Sequence, residues 1–245
     1  MLKFFRRIRQ QLLTQNKLSK YLLYAIGEII LVVIGILIAL QINNWNEGRK
    51  RSQTEVQLLQ TMKQAIEYDI KQTKFYMEGN ERVVKSCKII LNALDNDVPY
   101  HDSLSLHFEQ ANQWWKVLIS KHAYENAKLY GLDFIEHDFT RNQLSSLYEG
   151  LWSFAETLDE RQAMYYYQTV TPVLSDLFES IDHNWHIAEK GNVPYDYEAL
   201  KKDKTYRNIL NTNIGNRENY NAWIQLARSN MTTLQEFLKN EIENR

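Results

Sequence analysis

The stretch with most to offer chemistry is ESIDHNWH, in which Glu179, His183 and His186 fall at i, i+4 and i+7 with Asp182 beside them. On a helix this spacing gathers two imidazoles and a carboxylate on one face. Such a set can hold zinc and leave a coordination position open. The patterns that would make it catalytic are missing: there is no His-Glu-x-x-His, and no pair of Glu-x-x-His motifs of the di-iron kind. Surface or capping histidines are the better reading, and no metal ligand is assigned. The lone Cys87 sits in KSCKIIL, which reads as a helix face and a structural thiol. Gly-rich phosphate loops, G-x-S-x-G and a Cys/His nucleophile pair are all absent. No catalytic residue and no cofactor site are assigned, and the chain is expected not to be an enzyme.

The second group of interest is a single acid in an apolar run. Between Tyr21 and Ile42 there are 22 residues, with Glu28 and Gln41 the only strongly polar side chains. At 1.5 Å per residue this is about 33 Å of helix, enough to cross a hydrocarbon core of about 30 Å. The inner part, IILVVIGILIAL, shows no wet face, as a soluble core helix of that length would. Tyr21, Tyr24 and Trp45 stand where interfacial aromatics belong. The run ends ALQINNWNE, a poor cleavage site, so an uncleaved single span is expected rather than a signal peptide. Glu28, Gly35 and Ala39 are seven and four residues apart and share one helix stripe. The small pair Gly35 and Ala39 lets two helix backbones approach closely in lipid. A carboxylate on that stripe is better placed against a partner helix than against acyl chains.

Charge sets the expected orientation. Residues 1–51 hold nine Lys or Arg against two Glu, a net of +7, which leaves −8 for the remainder of a chain whose total is −1. Arg6, Arg7, Arg9, Lys17 and Lys20 lie N-terminal to the apolar run with Lys3, and Arg49, Lys50 and Arg51 follow it. Six against three places the N-terminus in the cytoplasm and the body outside the cytoplasmic (inner) membrane, in the periplasm. The start, MLKFFRRIRQQLLTQ, puts Leu2, Phe5, Ile8 and Leu12 at helical spacing among basic residues. It reads as an amphipathic segment on the cytoplasmic leaflet, with Arg6, Arg7, Arg9, Lys17 and Lys20 on lipid headgroups. Nucleic acid is not an expected partner, because the basic end leads straight into an apolar run.

The elements after the span are expected to be helices. Only 8 Gly and 3 Pro occur, too few for a many-stranded fold. Val56, Leu59, Met62, Ile66 and Ile70 recur at three and four residues. They predict a long amphipathic helix over 52–94, open to a break near Gly79 and Asn80 and able to continue from the span as a stalk. Asp102 or Ser103 caps a helix to about Asn112, Ser120 caps another that stops at Gly131, and Asp138 or Thr140 caps a longer one that Pro172 should kink. After EKGNVPYDY, Asp203 caps a short helix and Asn216 begins the last one. WWKVLIS at 114–120 is the best strand candidate, with helix or turn equally open. Trp114 and Trp115, and Tyr165, Tyr166 and Tyr167, read as core or interface aromatics; Lys201 and Lys202 read as a solvated face. The fold class is therefore all-α, one N-terminal transmembrane helix before an extracytoplasmic helical bundle. Its parts are an amphipathic segment 1–16, a transmembrane helix 17–45, a stalk-like helix 46–100 and a bundle body 101–245.

KYLLYAIGEIILVVIGILIALQINNWNE, followed later by AYENAKLYGLDFIEHDFTRNQLSSLYE, resembles a group of uncharacterised single-span envelope proteins of Bacteroidota, a domain-of-unknown-function family. Tyr124, Gly131, Ile135, Leu144 and Tyr148 match that family's pattern, with Ala127 where leucine is usual. The resemblance implies an envelope address and supplies no activity. The expected role is a membrane-anchored scaffold or accessory subunit that self-associates, with lipids, its own copies and other envelope proteins as partners. The alternatives are an extracytoplasmic ligand-sensing module that signals through a separate partner, and an ion- or proton-conducting oligomer that uses Glu28.

Overall fold

Helix formers dominate the chain, and its long elements are helical. The computed structural model describes residues 18–179 and 191–244, which fall into two units, residues 1–55 and 56–245. Among the described residues there is no strand, only an isolated antiparallel bridge between Phe178 and Pro194. The amphipathic segment expected at 1–16 lies outside the described residues.

Helix α1 (Leu18–Asp95) is 78 residues long and unbroken. In the first unit its apolar stretch is long and apolar enough to cross a membrane, and none of that stretch is buried inside the fold. Large side chains on every side, from Leu22 through Ile29, Val33 and Leu37 to Ile42, are exposed. Burial drives most soluble helices to keep one polar face, and this stretch has none.

The second unit begins with the rest of α1. It continues through α2 (Ser103–Gln110), α3 (His122–Tyr130) and a 3-10 turn at Leu132–Phe134. Then come α4 (Asp138–Ser145), α5 (Trp152–Tyr165) and α6 (Thr171–Leu177), joined by π-helical turns at Ser146–Leu151 and Tyr166–Val170. The last elements are α7 (Tyr197–Lys202) and α8 (Lys204–Glu243). From Val56 onward α1 is an integral part of this unit: Leu59, Met62, Ile66, Val83, Cys87 and Ile90 are almost fully buried. The segment read as a stalk over 46–100 thus divides, because the apolar face from Leu59 on is packed rather than wet.

Local chemistry explains several boundaries. Gly131 closes α3 at φ +90°, a conformation that disfavours side chains with a Cβ. Asp196 and Asp203 cap α7 and α8, accepting from Ala199 N at 2.9 Å and Tyr206 N at 2.7 Å. Pro172 has no N–H to give, and the wide π turn directly before it absorbs the misfit; Thr171 Oγ1 donates five residues back to Tyr166 O. Asn216 does not start a helix. It lies within α8, where its Nδ2 donates to Gln162 Oε1 at 2.8 Å.

Two apolar cores stabilise the second unit. One joins Leu59, Met62 and Ile66 of α1 with Leu144, Leu147 and Trp152 and with Ile224, Met231 and Leu234 of α8. The other joins Val83, Cys87 and Ile90 of α1 with Phe108, Leu174 and Phe178 and with Tyr206, Ile209 and Leu210 of α8. Each fully buried aliphatic side chain contributes about 1.5–3 kcal/mol relative to exposure.

Candidate functional site

Between the two cores the buried positions turn polar. On α1 the inward series Leu59, Met62 and Ile66 is followed by Asp69, Thr73 and Asn80 before apolar residues return at Val83. On α8 the series Ile209 and Leu210 gives way to Asn213 and Arg217 before Tyr220 and Ile224. All of these polar side chains are almost fully buried, and burial without partners costs free energy. Thr73 Oγ1 donates to Ile70 O of its own helix at 2.8 Å, and the others meet the irregular strap over 111–121 that links α2 to α3.

The strap hydrogen-bonds as a strand does, but to side chains. Ala111 O accepts from Asn213 Nδ2 at 3.0 Å, and Gln113 O from Arg217 Nη2 at 3.1 Å. Trp115 gives its N–H to Asn80 Oδ1 at 3.4 Å and takes Asn80 Nδ2 on its carbonyl at 3.2 Å. Val117 N donates to Tyr220 Oη at 3.2 Å, and Ser120 N to Asp69 Oδ1 at 3.1 Å. Residues 111, 113, 115 and 117 alternate, the period of an extended chain. With no neighbouring strand, carboxamides, a guanidinium, a phenol and a carboxylate from α1 and α8 meet the need that a ladder would meet. Asn80 Nδ2 also donates to Asn221 Oδ1 at 3.1 Å, and Asn221 Nδ2 to Met77 O at 3.0 Å.

Side chains of the strap join the same layer. Trp114 Nε1 donates to Asp159 Oδ1 at 3.2 Å, while Tyr220 Oη donates to Asp159 Oδ2 at 3.1 Å. Trp115 lies against Gly79: a Cβ built there would stand 2.3 Å from ring Cδ2. The glycine read as a possible break is therefore a packing position inside a continuous helix. Phe75 meets the same indole edge-on at 5.5 Å, and the Arg82 guanidinium sits 5.1 Å from its centroid.

Burial sets the electrostatics of the layer. It pushes the Asp69 carboxyl up to about 6, against the lowering effect of the Ser120 N–H. It raises Asp159 too, opposed by the bonds from Trp114 and Tyr220. Burial also brings Arg217 down to about 10, with nearby Cys87, Tyr220 and Asp159 acting the other way. The Cys87 thiol is pushed up to about 12, mainly by burial, and its Sγ lies 3.7 Å from Ala111 O. This is an inert thiol rather than a nucleophile. The layer offers positioning and specificity of packing.

Glu179 is exposed, and its N–H donates to Val193 O at 2.8 Å. Asp182, His183 and His186 lie outside the described residues. Among the described residues no group of three His, Cys, Asp or Glu is arranged to hold a metal ion. Tyr124, Gly131, Ile135, Leu144 and Tyr148 build core and turn. Tyr124 and Tyr148 stack at 4.7 Å with 9° between their planes, Ile135 and Leu144 are fully buried, and Ala127 is buried beside them in the same core. Tyr166 is half-buried and Tyr167 exposed. Lys201 departs from expectation: it is buried, with Nζ bonded to Asp97 and, at 2.7 Å, to Glu198. The turn after α1 and the start of α7 both supply carboxylates to it, so only Lys202 of the pair is solvated.

In the first unit Glu28 is half-exposed and Ala39 exposed, and nothing stands within 4 Å of a Cβ built at Gly35. Seven and eleven residues return to within about 20° of the starting face of a helix, so Glu28, Gly35 and Ala39 share one stripe. Beyond it, Trp45 is exposed and carries the Arg49 guanidinium 5.6 Å from its ring centroid. Arg6, Arg7, Arg9 and Lys17 lie outside the described residues, and Lys20 is within α1.

A family model described as a family of unknown function, DUF6090, matches residues 28–113. The chain is similar to that family from Glu28 in the apolar stretch to Gln113 at the head of the strap; the Tyr124–Tyr148 pattern falls beyond the match. No curated protein and no solved structure matches the chain. Asp69, Asp159, Arg217 and Tyr220 were not singled out in the sequence, and Asn80 only as part of a possible break. The signal for three of them was present: Asp69 and Asn80 interrupt one apolar series of three-and-four spacing, and Arg217 interrupts another.

Proposed function

We propose that this protein is a single-pass membrane anchor carrying a helical scaffold or accessory subunit, N-terminus in the cytoplasm and body in the periplasm, that works by protein–protein contact rather than by catalysis. The observation that carries this reading is the apolar stretch of α1: it has the length and composition of a span, and the fold buries none of it. An apolar surface of that extent is insoluble unless lipid or a partner covers it. The lysines and arginines N-terminal to it, among them Arg6, Arg7, Arg9, Lys17 and Lys20, contact anionic headgroups of the cytoplasmic leaflet.

The spans self-associate along Glu28, Gly35 and Ala39. A charged carboxylate at the bilayer centre costs about 2.5–3.5 kcal/mol, and less near the interface. One polar contact between helices returns about 0.6–2 kcal/mol. Glu28 alone does not drive assembly, so close packing at Gly35 supplies most of the gain. Photobleaching of single complexes in native-membrane nanodiscs tests this. Gly35→Leu should reduce the oligomer fraction most, Glu28→Leu less and Glu28→Gln least. Three variants indistinguishable from wild type would remove the self-association. Loss of a membrane current in Glu28→Gln with assembly intact would favour the conducting oligomer instead.

A further inference from the structure

We infer that Trp45, Arg49, Lys50 and Arg51 form a collar that binds anionic phospholipid headgroups of the leaflet where the span exits, a second lipid contact distinct from the N-terminal cluster. The inference rests on the reading of α1 as a membrane span.

Three observations support it. First, the collar is helical and exposed throughout, with no turn between it and the apolar stretch. Consecutive residues of a helix point about 100° apart, so Arg49, Lys50 and Arg51 face three sides of the helix. Second, Trp45 falls within the polar layer of the membrane, and the backbone of residues 49–51 stands just outside it, so that their long side chains reach the layer by leaning back. Trp45 stands about 4.5 Å and residues 49–51 about 10–14 Å beyond Ile42 along the axis. The polar layer beside the hydrocarbon core is about 5–8 Å thick on each side. Third, the side chains lean the right way. Cβ bonds of a helix tilt towards its N-terminus, which on this side is the direction of the apolar stretch. The Arg49 guanidinium over the Trp45 ring, four residues nearer that stretch, shows the lean directly. The indole fits the interface, and the guanidinium beside it sits at phosphate height. Lys50 is 3.3 Å from Glu47, both well exposed, and a pair so open to solvent does little to occupy the ammonium.

The probe is spin-labelled phosphatidylglycerol against spin-labelled phosphatidylcholine, with the full chain in vesicles. Two triple or larger replacements separate the sites: Arg49→Gln with Lys50→Gln and Arg51→Gln, and Gln at Arg6, Arg7, Arg9, Lys17 and Lys20. Each Lys or Arg at an anionic surface contributes about 1 kcal/mol, or about fivefold. The collar variant should therefore lose several-fold of the wild-type preference for the anionic label. The N-terminal variant should keep a preference that 0.5 M sodium chloride weakens. Wild-type selectivity in the collar variant, or no preference left in the N-terminal variant, would overturn the assignment. Displacement of the lipid by inorganic phosphate beyond that by chloride at equal ionic strength would make this a phosphate site and also overturn it. Failure of the span reading shows separately, as release of the protein by a carbonate wash.

Discussion

Asn80 and Trp115 pair through both backbone groups of the tryptophan, with Asn80 Nδ2 donating to the Trp115 carbonyl at 3.2 Å and Trp115 N–H donating to Asn80 Oδ1 at 3.4 Å. One carboxamide thereby supplies what a neighbouring strand would supply. The strap that it holds separates two apolar cores, and the polar residues around it fix how α1 and α8 sit against each other. Buried polar groups with specific partners set register in this way in other helical assemblies.

Replacing Asn80 tests that role. Asn80→Ala leaves the Trp115 N–H and carbonyl without a partner, and each buried group left so costs about 1–3 kcal/mol. For a domain of this size a loss of 1 kcal/mol lowers Tm by about 2–4 °C. The full chain in mild detergent, followed by circular dichroism, should melt at least about 4 °C lower for Asn80→Ala. An unchanged Tm would show that the strap is held without this pair.

Asp69 gives the unit a pH dependence of definite sign. Its folded pKa of about 6 is above its ordinary value of 3.8, so its contribution to stability is complete below about pH 4 and is lost as pH rises through about 6. A rise of two units corresponds to at most about 3 kcal/mol. Asp159 is raised as well and acts in the same direction. Asp69→Asn keeps an oxygen for the Ser120 N–H and removes the charge. Its Tm should exceed wild type at pH 8, and the difference should shrink as pH falls and vanish below about pH 4. Parallel curves for the two proteins between those values would contradict the buried-carboxylate account.

Much of this fold was legible in the sequence, because the signals were local. The apolar run from Tyr21 to Ile42, the stop at Gly131 and the cap at Asp203 each follow from residues within a turn of the feature they specify. What was not legible depends on distant partners. Gly79 reads as a helix breaker until the Trp115 ring is seen to occupy the space of its missing Cβ. Asn216 reads as a helix start until its bond to Gln162 on α5 is known. Lys201 reads as solvated until Asp97, more than a hundred residues earlier, comes to meet it. The strap has the composition of a strand, and its alternating backbone bonds agree, but no sequence pattern tells that helices answer them. The set around His183 stays a sequence feature, since Asp182, His183 and His186 lie outside the described residues.

In the proposed topology the apolar stretch of α1 is a retained span that carries the body out of the cytoplasm. The most direct measurement fuses alkaline phosphatase and a fluorescent protein that matures only in the cytoplasm, in turn, to the C-terminus of the full chain, with the membrane fraction washed in carbonate. The account predicts phosphatase activity without fluorescence, in protein that stays with the membrane and retains Gln41. Fluorescence without phosphatase activity, or release of the fusion by the wash, would contradict it.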